Sequence, residues 1–211
     1  MRTFLIFFWI LLFFLGCEKQ EKTLPFTWQE INGRDEIVAY GQRVRRAVYH
    51  AQIPLGWQRF DPAHSKSNED TTQPIVSFVI DDGLALVVHT FPSNNLDERI
   101  PPIAQVQRWQ GQLQKCQAVQ RVGHSGFTGL YLEGMNEKGG VRAWAMQLDM
   151  QHYQTLHFLA GTVEEEEHYK QMSADYTIKV FGPVEKLEQH RNAIDLFVNS
   201  FELIQEIPSR T

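Results

Sequence analysis

Two predicted β-hairpins with apolar residues on both faces constrain the fold of this chain more than any other feature. The first joins residues 75–80 to 84–91 through Asp81-Asp82-Gly83, and Asp-Gly is a strong signal for a tight turn. The second joins residues 127–133 to 141–150. A sheet with one face in water would alternate apolar and polar residues more cleanly. The pattern therefore predicts a sheet that is covered, at least partly, on both faces.

Apolar residues at helical spacing predict two helices in addition to the strands. Pro101-Pro102 precedes a helix of about fifteen residues that reaches Cys116, and Gly182-Pro183 opens a last helix that reaches Phe201. The remaining predicted strands cover residues 44–53, 154–161 and 176–181. This order of strands, helix, strands and helix predicts an α+β fold, with helices packed on a central antiparallel sheet of about six or seven strands.

The first seventeen residues differ from the rest of the chain. Phe4–Leu15 is an uninterrupted apolar run of twelve residues, whereas a bilayer-spanning helix needs about 20. The run ends at Gly16-Cys17, and the chain turns polar at once from Glu18 to Lys22. This arrangement is typical of a secretory signal with a short apolar core.

A small residue followed by cysteine, directly after such a run, resembles the bacterial lipobox. The resemblance implies that residues 1–16 are a signal peptide, that the Cys17 thiol takes a diacylglycerol, and that the new amino terminus is acylated, for example with palmitate. Two or three acyl chains give stable membrane anchoring. The alternatives are an uncleaved anchor or an ordinary secretory signal. We expect a protein anchored to the cell membrane or, as Glu18 favours, the outer membrane, with its domain facing the periplasm or the cell exterior.

A single domain is predicted to follow the signal peptide and a polar tether. The 211-residue length suits one domain with a sizeable core, and the chain contains no internal repeat. We assign residues 17–25 to the tether and residues 26–211 to the domain, with its core over about 44–204. Residues 26–43 yield no predicted element.

Three short motifs in this domain are similar to those of PsbP/Mog1-like domains. They are Pro54-Leu55-Gly56-Trp57, the pattern of Arg108, Trp109, Gln112 and Leu113, and the segment Asn199–Leu203. The resemblance implies an α/β/α sandwich around a central antiparallel sheet. It also implies a non-enzymatic binding or assembly module.

Charge and cysteine content narrow the possible partners. The formal net charge of -5 argues against a non-specific nucleic-acid binder, which would need basic surface. The cluster Arg43, Arg45 and Arg46 is interpreted as one exposed face of a strand. If Cys17 is lipidated, Cys116 has no intramolecular partner, and we predict a buried thiol on a helix, with an intermolecular disulfide as the alternative.

The sequence offers several titratable groups but no recognisable catalytic set. Glu164 and His168 would share a helix face as a candidate cation pair, although catalytic zinc usually has three protein ligands. His152 and His157 are predicted on opposite faces of a strand. His89 is predicted as a hydrogen-bonded sheet histidine, and His124-Ser125 as a turn. We therefore predict no cofactor, no metal and no enzyme activity.

The helix after Pro101-Pro102 carries the most notable polar and aromatic residues. Arg108 and Gln112 are four residues apart and would share a face, and Trp109 lies at the edge of the apolar stripe. These three residues form a candidate interaction patch; the simpler interpretation is that Trp109 packs on the sheet. We expect a lipoprotein that binds an unknown protein partner or assists envelope assembly. An enzyme or metal-binding domain with a non-local site, and a carrier of lipid or a small ligand, remain alternatives.

Overall fold

The computed structural model describes residues 24–63 and 70–207. The predicted signal peptide, Cys17 and most of the tether lie outside these residues. The helices are α1 (Pro102–Gln110), α2 (Met150–Leu159), α3 (Val163–Met172), α4 (Val184–Gln189) and α5 (Arg191–Ser200). Within the described ranges, no helix is both long enough and apolar enough to cross a membrane.

The strands belong to two antiparallel sheets and one two-stranded ribbon. In chain order they are β1 (Phe26–Asn32), β2 (Glu36–Ile37), β3 (Arg43–Val44), β4 (Ala47–Pro54), β5 (Gln58–Phe60), β6 (Val76–Asp81), β7 (Leu84–Phe91), β8 (Lys115–Cys116), β9 (Gln120–His124), β10 (Phe127–Asn136), β11 (Gly139–Leu148), β12 (Asp175–Gly182) and β13 (Glu202–Leu203).

The large sheet confirms the predicted α+β class and its antiparallel architecture. It has eight strands in the order β5-β6-β7-β12-β11-β10-β8, with β9 also paired to β10. The predicted number was six or seven, and no strand was predicted for β5, β8 or β9, which have three, two and five residues. Such short edge strands carry no readable alternation. Both predicted hairpins, β6–β7 and β10–β11, are present.

The small sheet accounts for the segment that the sequence left without an assignment. Its order is β1-β4-β13, and β1 pairs with β4 from Phe26 opposite Pro54 to Asn32 opposite Ala47. The inward side chains of this sheet join the main core, where Tyr49 and Tyr176 lie with ring centroids 6.3 Å apart. The predicted strand over residues 44–53 therefore lies mainly in a second sheet.

The main core lies between one face of the large sheet and the small sheet together with α5. Trp144, Met146 and Leu148 of β11 point into it, as do alternate residues of β6, β7 and β12. Burying each side chain of this size contributes about 1.5–3 kcal/mol. The opposite face of β11 carries Val141, Ala143 and Ala145, which pack under α1 against Val106 and Trp109. The large sheet is therefore covered on both faces, as predicted, but only in part on the α1 side.

Two predicted elements differ in the structure. Residues 154–161 were predicted as a strand, but most of them lie in helix α2, where Tyr153 and Leu156 are buried at a spacing of three. A short apolar run does not distinguish a strand from a helix. The predicted fifteen-residue helix ends at Gln110 instead, after nine residues, and Cys116 lies in β8. The last helix divides into α4 and α5 at His190.

Buried arginines connect distant segments of the fold. Arg34 is 7% exposed and donates to the carbonyl oxygens of Thr90, Asp70 and Gln73 at 2.7–3.0 Å. Arg99 pairs with Asp175 at 2.5 Å, and both side chains are almost fully buried. Because the cost of an unpaired buried charge is several kcal/mol, these contacts hold the loop after residue 69 and the start of β12 in place.

Candidate interaction face

Helix α1 leaves part of the large sheet uncovered. It packs on β10 and β11, and the same face of β6, β7 and β12 continues beyond it. Val79 and Phe181 on this face are 39% and 41% exposed, and Val87, His89 and Lys179 are half-buried. We call these five residues the open face. It lies on the side of the large sheet opposite the main core.

Strand register places two basic side chains side by side on the open face. His89 is opposite Thr177, and Lys179 is opposite Val87, so His89 and Lys179 are diagonal neighbours. Such neighbours lie about 7–8 Å apart on one sheet face. A third basic side chain, Arg108, lies on the exposed side of α1. Three basic side chains from two strands and one helix therefore converge here.

The pKa values of the two half-buried groups reflect this crowding of positive charge. Burial lowers the pKa of the Lys179 ammonium, and the charge of Arg108 lowers it further. Burial also lowers the pKa of His89, against the opposing effect of a hydrogen bond to the Thr72 carbonyl; Arg34, Arg108 and Lys179 add to the lowering. No carboxylate of the described residues acts on the pKa of either group.

The residues of the predicted patch separate in the structure. Trp109 is 4% exposed and packs against the sheet, which agrees with the simpler interpretation. Arg108 is exposed beside the open face. Gln112 is also exposed, but it follows the end of α1, so helical spacing no longer relates it to Arg108. An interaction patch at Arg108 stays a prediction. His89 is a sheet histidine as predicted, with Nε2 3.3 Å from the Thr72 carbonyl oxygen, and its grouping with Lys179 and Arg108 was not predicted.

The grouping of His89 with Lys179 was missed because no local pattern relates the two residues. Both lie on strands whose pattern indicates burial, and they meet only because β7 and β12 are neighbours in the sheet. The one available signal was the charged side chain of Lys179 in a strand that is largely apolar. Charged residues within such strands are uncommon unless they are paired or functional.

The candidate cation pair, Glu164 and His168, lies on helix α3 as predicted. Glu164 pairs with Arg46, and His168 Nδ1 lies 3.0 Å from the Oε1 atom of Glu36, a fully buried residue. Over residues 24–63 and 70–207, no three His, Cys, Asp or Glu side chains are placed to hold a metal ion. In this structure the pair joins α3 to the β2–β4 segment.

The predicted exposed arginine face is wrong for two of its three members. Arg45 Nε lies 2.7 Å from Asp35 Oδ1, and Arg46 contacts both Glu36 and Glu164. Both arginines are half-buried, whereas Arg43 is exposed. The reason is that Arg45 and Arg46 lie between β3 and β4 rather than within one strand, beside acidic residues that the sequence did not place nearby.

The remaining candidate groups are hydrogen-bonded separately. His124 Nε2 lies 3.0 Å from the Phe201 carbonyl oxygen and 3.1 Å from the Tyr176 hydroxyl, while Ser125 donates to Glu202 at 2.7 Å. Ser125 has a φ of 49° and lies in the predicted turn. His152 and His157 lie on helix α2, so the prediction that a strand places them on opposite faces is wrong.

Cys116 is an exposed free thiol, so its predicted burial is wrong. Because α1 ends before it, Cys116 lies at the edge of the large sheet rather than on a helix. It borders a cleft of about 280 Å³ between β8 and α4, whose apolar lining includes Met135, Val141 and Leu187. This volume is just below the range of about 300–1,000 Å³ that is typical of small-ligand pockets.

The fold and this face together define an α+β protein with a partly uncovered sheet face that is mainly apolar and carries one lysine. No protein-family model matches the chain, and no curated protein matches it. Among solved structures, it is similar to cyanobacterial PsbP (CyanoP) from Synechocystis sp. PCC 6803, with 14% identity and a TM-score of 0.47, over 90% of this chain and 98% of that one. It is also similar to PA94, a protein of unknown function from Pseudomonas aeruginosa, with 11% identity and a TM-score of 0.34, over 85% of this chain and 100% of that one.

Proposed function

We propose that this chain is a non-enzymatic, lipid-anchored module outside the cytoplasm, which binds an acidic protein surface through its open face. The observation that carries the proposal is the convergence of His89, Arg108 and Lys179 on an uncovered sheet face where no described carboxylate acts on the pKa of His89 or Lys179. The PsbP/Mog1-like resemblance of the three short motifs also supports a binding or assembly role.

The energetics of the open face favour a charged partner. A half-buried ammonium without a counter-ion destabilises the fold, because burial disfavours its charged form. The chain as a whole is acidic, with a net charge of -5, so this basic region does not follow from overall composition. A carboxylate-rich partner would neutralise the cations, and Val79 and Phe181 would add apolar contact at the same surface.

The sequence features before the domain support membrane attachment. Phe4–Leu15 is too short to span a bilayer, and Cys17 follows it at the position that a lipobox requires. Intact-mass measurement of the purified mature protein tests this part. We expect a polypeptide that begins at Cys17 and carries diacylglycerol with an additional acyl chain. A mature chain that begins elsewhere, or that carries no lipid, would contradict it.

A photo-crosslinking experiment tests the binding face. A photoreactive amino acid replaces Val79 on the open face in one version, and Tyr40 in another, where the side chain is fully exposed elsewhere. In native envelopes, we expect a discrete cross-linked protein from the Val79 position only. Mass spectrometry should identify peptides rich in Asp and Glu at the site of attachment.

Matched variants separate specific binding from a change in net charge. Arg108→Gln combined with Lys179→Gln removes two cations of this region, and we expect the cross-linked product to decrease about tenfold. Arg121→Gln combined with Lys138→Gln removes two exposed cations elsewhere and should leave the product unchanged. Equal loss in both double variants, or no loss in either, contradicts the assignment of the open face.

A further inference from the structure

We infer that a second surface, on the small sheet, contacts the lipid bilayer to which Cys17 is anchored. This surface consists of Leu24, Phe26, Trp28 and Leu55, and we call it the N-terminal patch. The inference rests on the proposed lipidation of Cys17 and adds a defined orientation of the domain on the membrane.

Strand alternation places the two aromatic side chains of the patch away from the core. Ile31 of β1 is fully buried in the main core, so Phe26 and Trp28, at odd separations from it, lie on the opposite face. Phe26 is 40% exposed and Trp28 is 50% exposed. Leu24, just before the strand, is 39% exposed. This part of β1 thus presents a row of large apolar side chains to solvent.

Leu55, in the turn that follows β4, lies next to the start of β1. The Leu55 amide donates to the Pro25 carbonyl oxygen at 3.0 Å, and the Leu55 side chain is 60% exposed. Trp28 leans on His50, with ring centroids 4.8 Å apart. Exposed large apolar residues that cluster in this way mark surfaces that contact proteins or membranes.

The short tether between Cys17 and the patch favours the lipid bilayer as the surface that the patch contacts. Leu24 is seven residues after Cys17, and an extended chain of that length spans at most about 25 Å. A domain of this size has a radius of gyration of about 16 Å, so its far side cannot reach the bilayer through such a tether. The N-terminal patch is the end of the domain that lipid anchoring would hold beside the membrane.

Aromatic content and charge indicate the kind of lipid surface. Tryptophan is enriched where protein meets the interface between hydrocarbon and water, and Phe26 supplies further apolar contact. Glu30 is exposed on the same face of β1, and Glu202 lies beside His50 on β13. These carboxylates would be repelled by strongly anionic lipid, so the patch suits a zwitterionic surface. The anchor raises the local lipid concentration, and so a small contact area suffices to orient the domain.

Bilayer quenching of tryptophan fluorescence tests the inference on the full lipidated protein. The protein is reconstituted into vesicles of phosphatidylcholine and phosphatidylethanolamine with brominated acyl chains. The other tryptophans after Cys17 are less exposed than Trp28, which is half exposed: Trp57 is half-buried against the main core, and Trp109 and Trp144 are 4% and 6% exposed. We expect the brominated lipid to reduce the emission of the wild-type protein, and Trp28→Phe to lose most of this reduction.

Two further variants keep the test independent of the tryptophan itself. Phe26→Ser combined with Leu55→Ser retains Trp28 but weakens the patch, and we expect less quenching. Val163→Ser changes a 72% exposed apolar residue on α3 and should leave the quenching unchanged. Far-UV circular dichroism checks that each variant is folded.

The outcomes distinguish this inference from the proposed lipidation. If the mature chain carries lipid and floats with the vesicles, yet wild type and Trp28→Phe are quenched equally, the bilayer contact is wrong and the anchor stands. If the chain carries no lipid and does not float, both are wrong. If Trp28 is shielded from solvent in the absence of vesicles, and the protein is a dimer in analytical ultracentrifugation, the patch would instead be the contact with a second copy of this chain.

Discussion

At the scale of single residues, the structure separates charges that are paired in the interior from charges that are left unpaired near the surface. Arg99 and Asp175 satisfy one another inside the protein, and Arg99 also donates to the Leu148 carbonyl oxygen at 2.8 Å. Lys179 has no comparable acidic partner among the described residues. Stability explains the first arrangement, and the proposed binding role would account for the second.

The buried ion pair should contribute far more to stability than an exposed pair of similar geometry. Asp175→Ala leaves Arg99 buried without its counter-ion, and we expect a loss of about 3–5 kcal/mol in the free energy of unfolding. Asp61→Ala removes the exposed partner that lies 2.7 Å from Arg59, for a loss of about 0–1 kcal/mol. Urea denaturation measures both values. Equal losses would contradict the burial argument.

His124 should make the stability depend on pH in the mildly acidic range. Burial lowers its pKa in the folded protein, whereas the histidine pKa in an unfolded chain is about 6.5. The unfolded chain therefore binds more protons below that pH, and the free energy of unfolding should fall between pH 7 and pH 5. The pKa of Glu202 is lowered chiefly by the Ser125 hydrogen bond, so Glu202 changes the free energy of unfolding only below about pH 4.3.

Chemical denaturation across this pH range, with two variants, isolates the contribution of His124. We expect His124→Gln to have a smaller slope between pH 7 and pH 5, because the variant has no proton to bind at this site. Ser125→Ala alters the adjacent residue without removing a titratable group, and its slope should match wild type. An unchanged slope in His124→Gln would show that other histidines determine the pH dependence.

At the scale of elements, the hairpins were predictable and the edges were not. The β6–β7 and β10–β11 hairpins follow from turn residues and from alternation within each strand, all of which are local. The β5 and β8 edges pair with strands more than ten residues away and are too short to alternate visibly. Helix α2 was misassigned because its apolar residues fit either period over so short a run.

Close backbone packing between β10 and β11 should make Gly129 intolerant of any side chain. A Cβ atom there would lie 2.0 Å from the Ala145 carbonyl oxygen, so Gly129→Ala must separate the paired strands. We expect a loss of about 3 kcal/mol or more in the free energy of unfolding. The matched variant is Gly111→Ala, where the nearest atom would be 3.6 Å away and the backbone is right-handed helical.

Gly111→Ala should be neutral or stabilising by about 0.4–1 kcal/mol, since alanine restricts the unfolded chain more than glycine does. Thermal and urea denaturation of the two variants would measure the contrast. Similar values for both would mean that β10 and β11 can relax around the added methyl group at Gly129.

At the scale of the whole molecule, the two proposed surfaces lie on opposite sides of the main core. The open face is the outer face of the large sheet, and the N-terminal patch is on the outer face of the small sheet. A domain that rests on the membrane through Phe26 and Trp28 would therefore present Arg108 and Lys179 away from the bilayer. This orientation is the one that a membrane-bound module needs to reach a second protein in the envelope.

Because the two surfaces share no side chains, their variants should act independently. Arg108→Gln combined with Lys179→Gln should reduce cross-linking from the Val79 position and leave lipid quenching of Trp28 unchanged. Trp28→Ser should leave partner cross-linking of the anchored protein unchanged. In the variant with all three substitutions, the loss of cross-linking should equal the sum of the losses measured separately, as expected for sites more than about 10 Å apart. A larger loss in the combined variant would indicate coupling between the surfaces.

Much of this fold follows from local patterns in the sequence. Residue order alone predicts the α+β class, the two hairpins and the burial of β11 on both faces, because each depends on neighbours along the chain. The signal peptide over residues 1–16 stays a prediction. Tertiary structure decided which sheet face stays uncovered, how His89, Arg108 and Lys179 meet, and that Cys116 is exposed. Those features depend on strand order and on where a helix stops, which bring together residues that no sequence spacing relates.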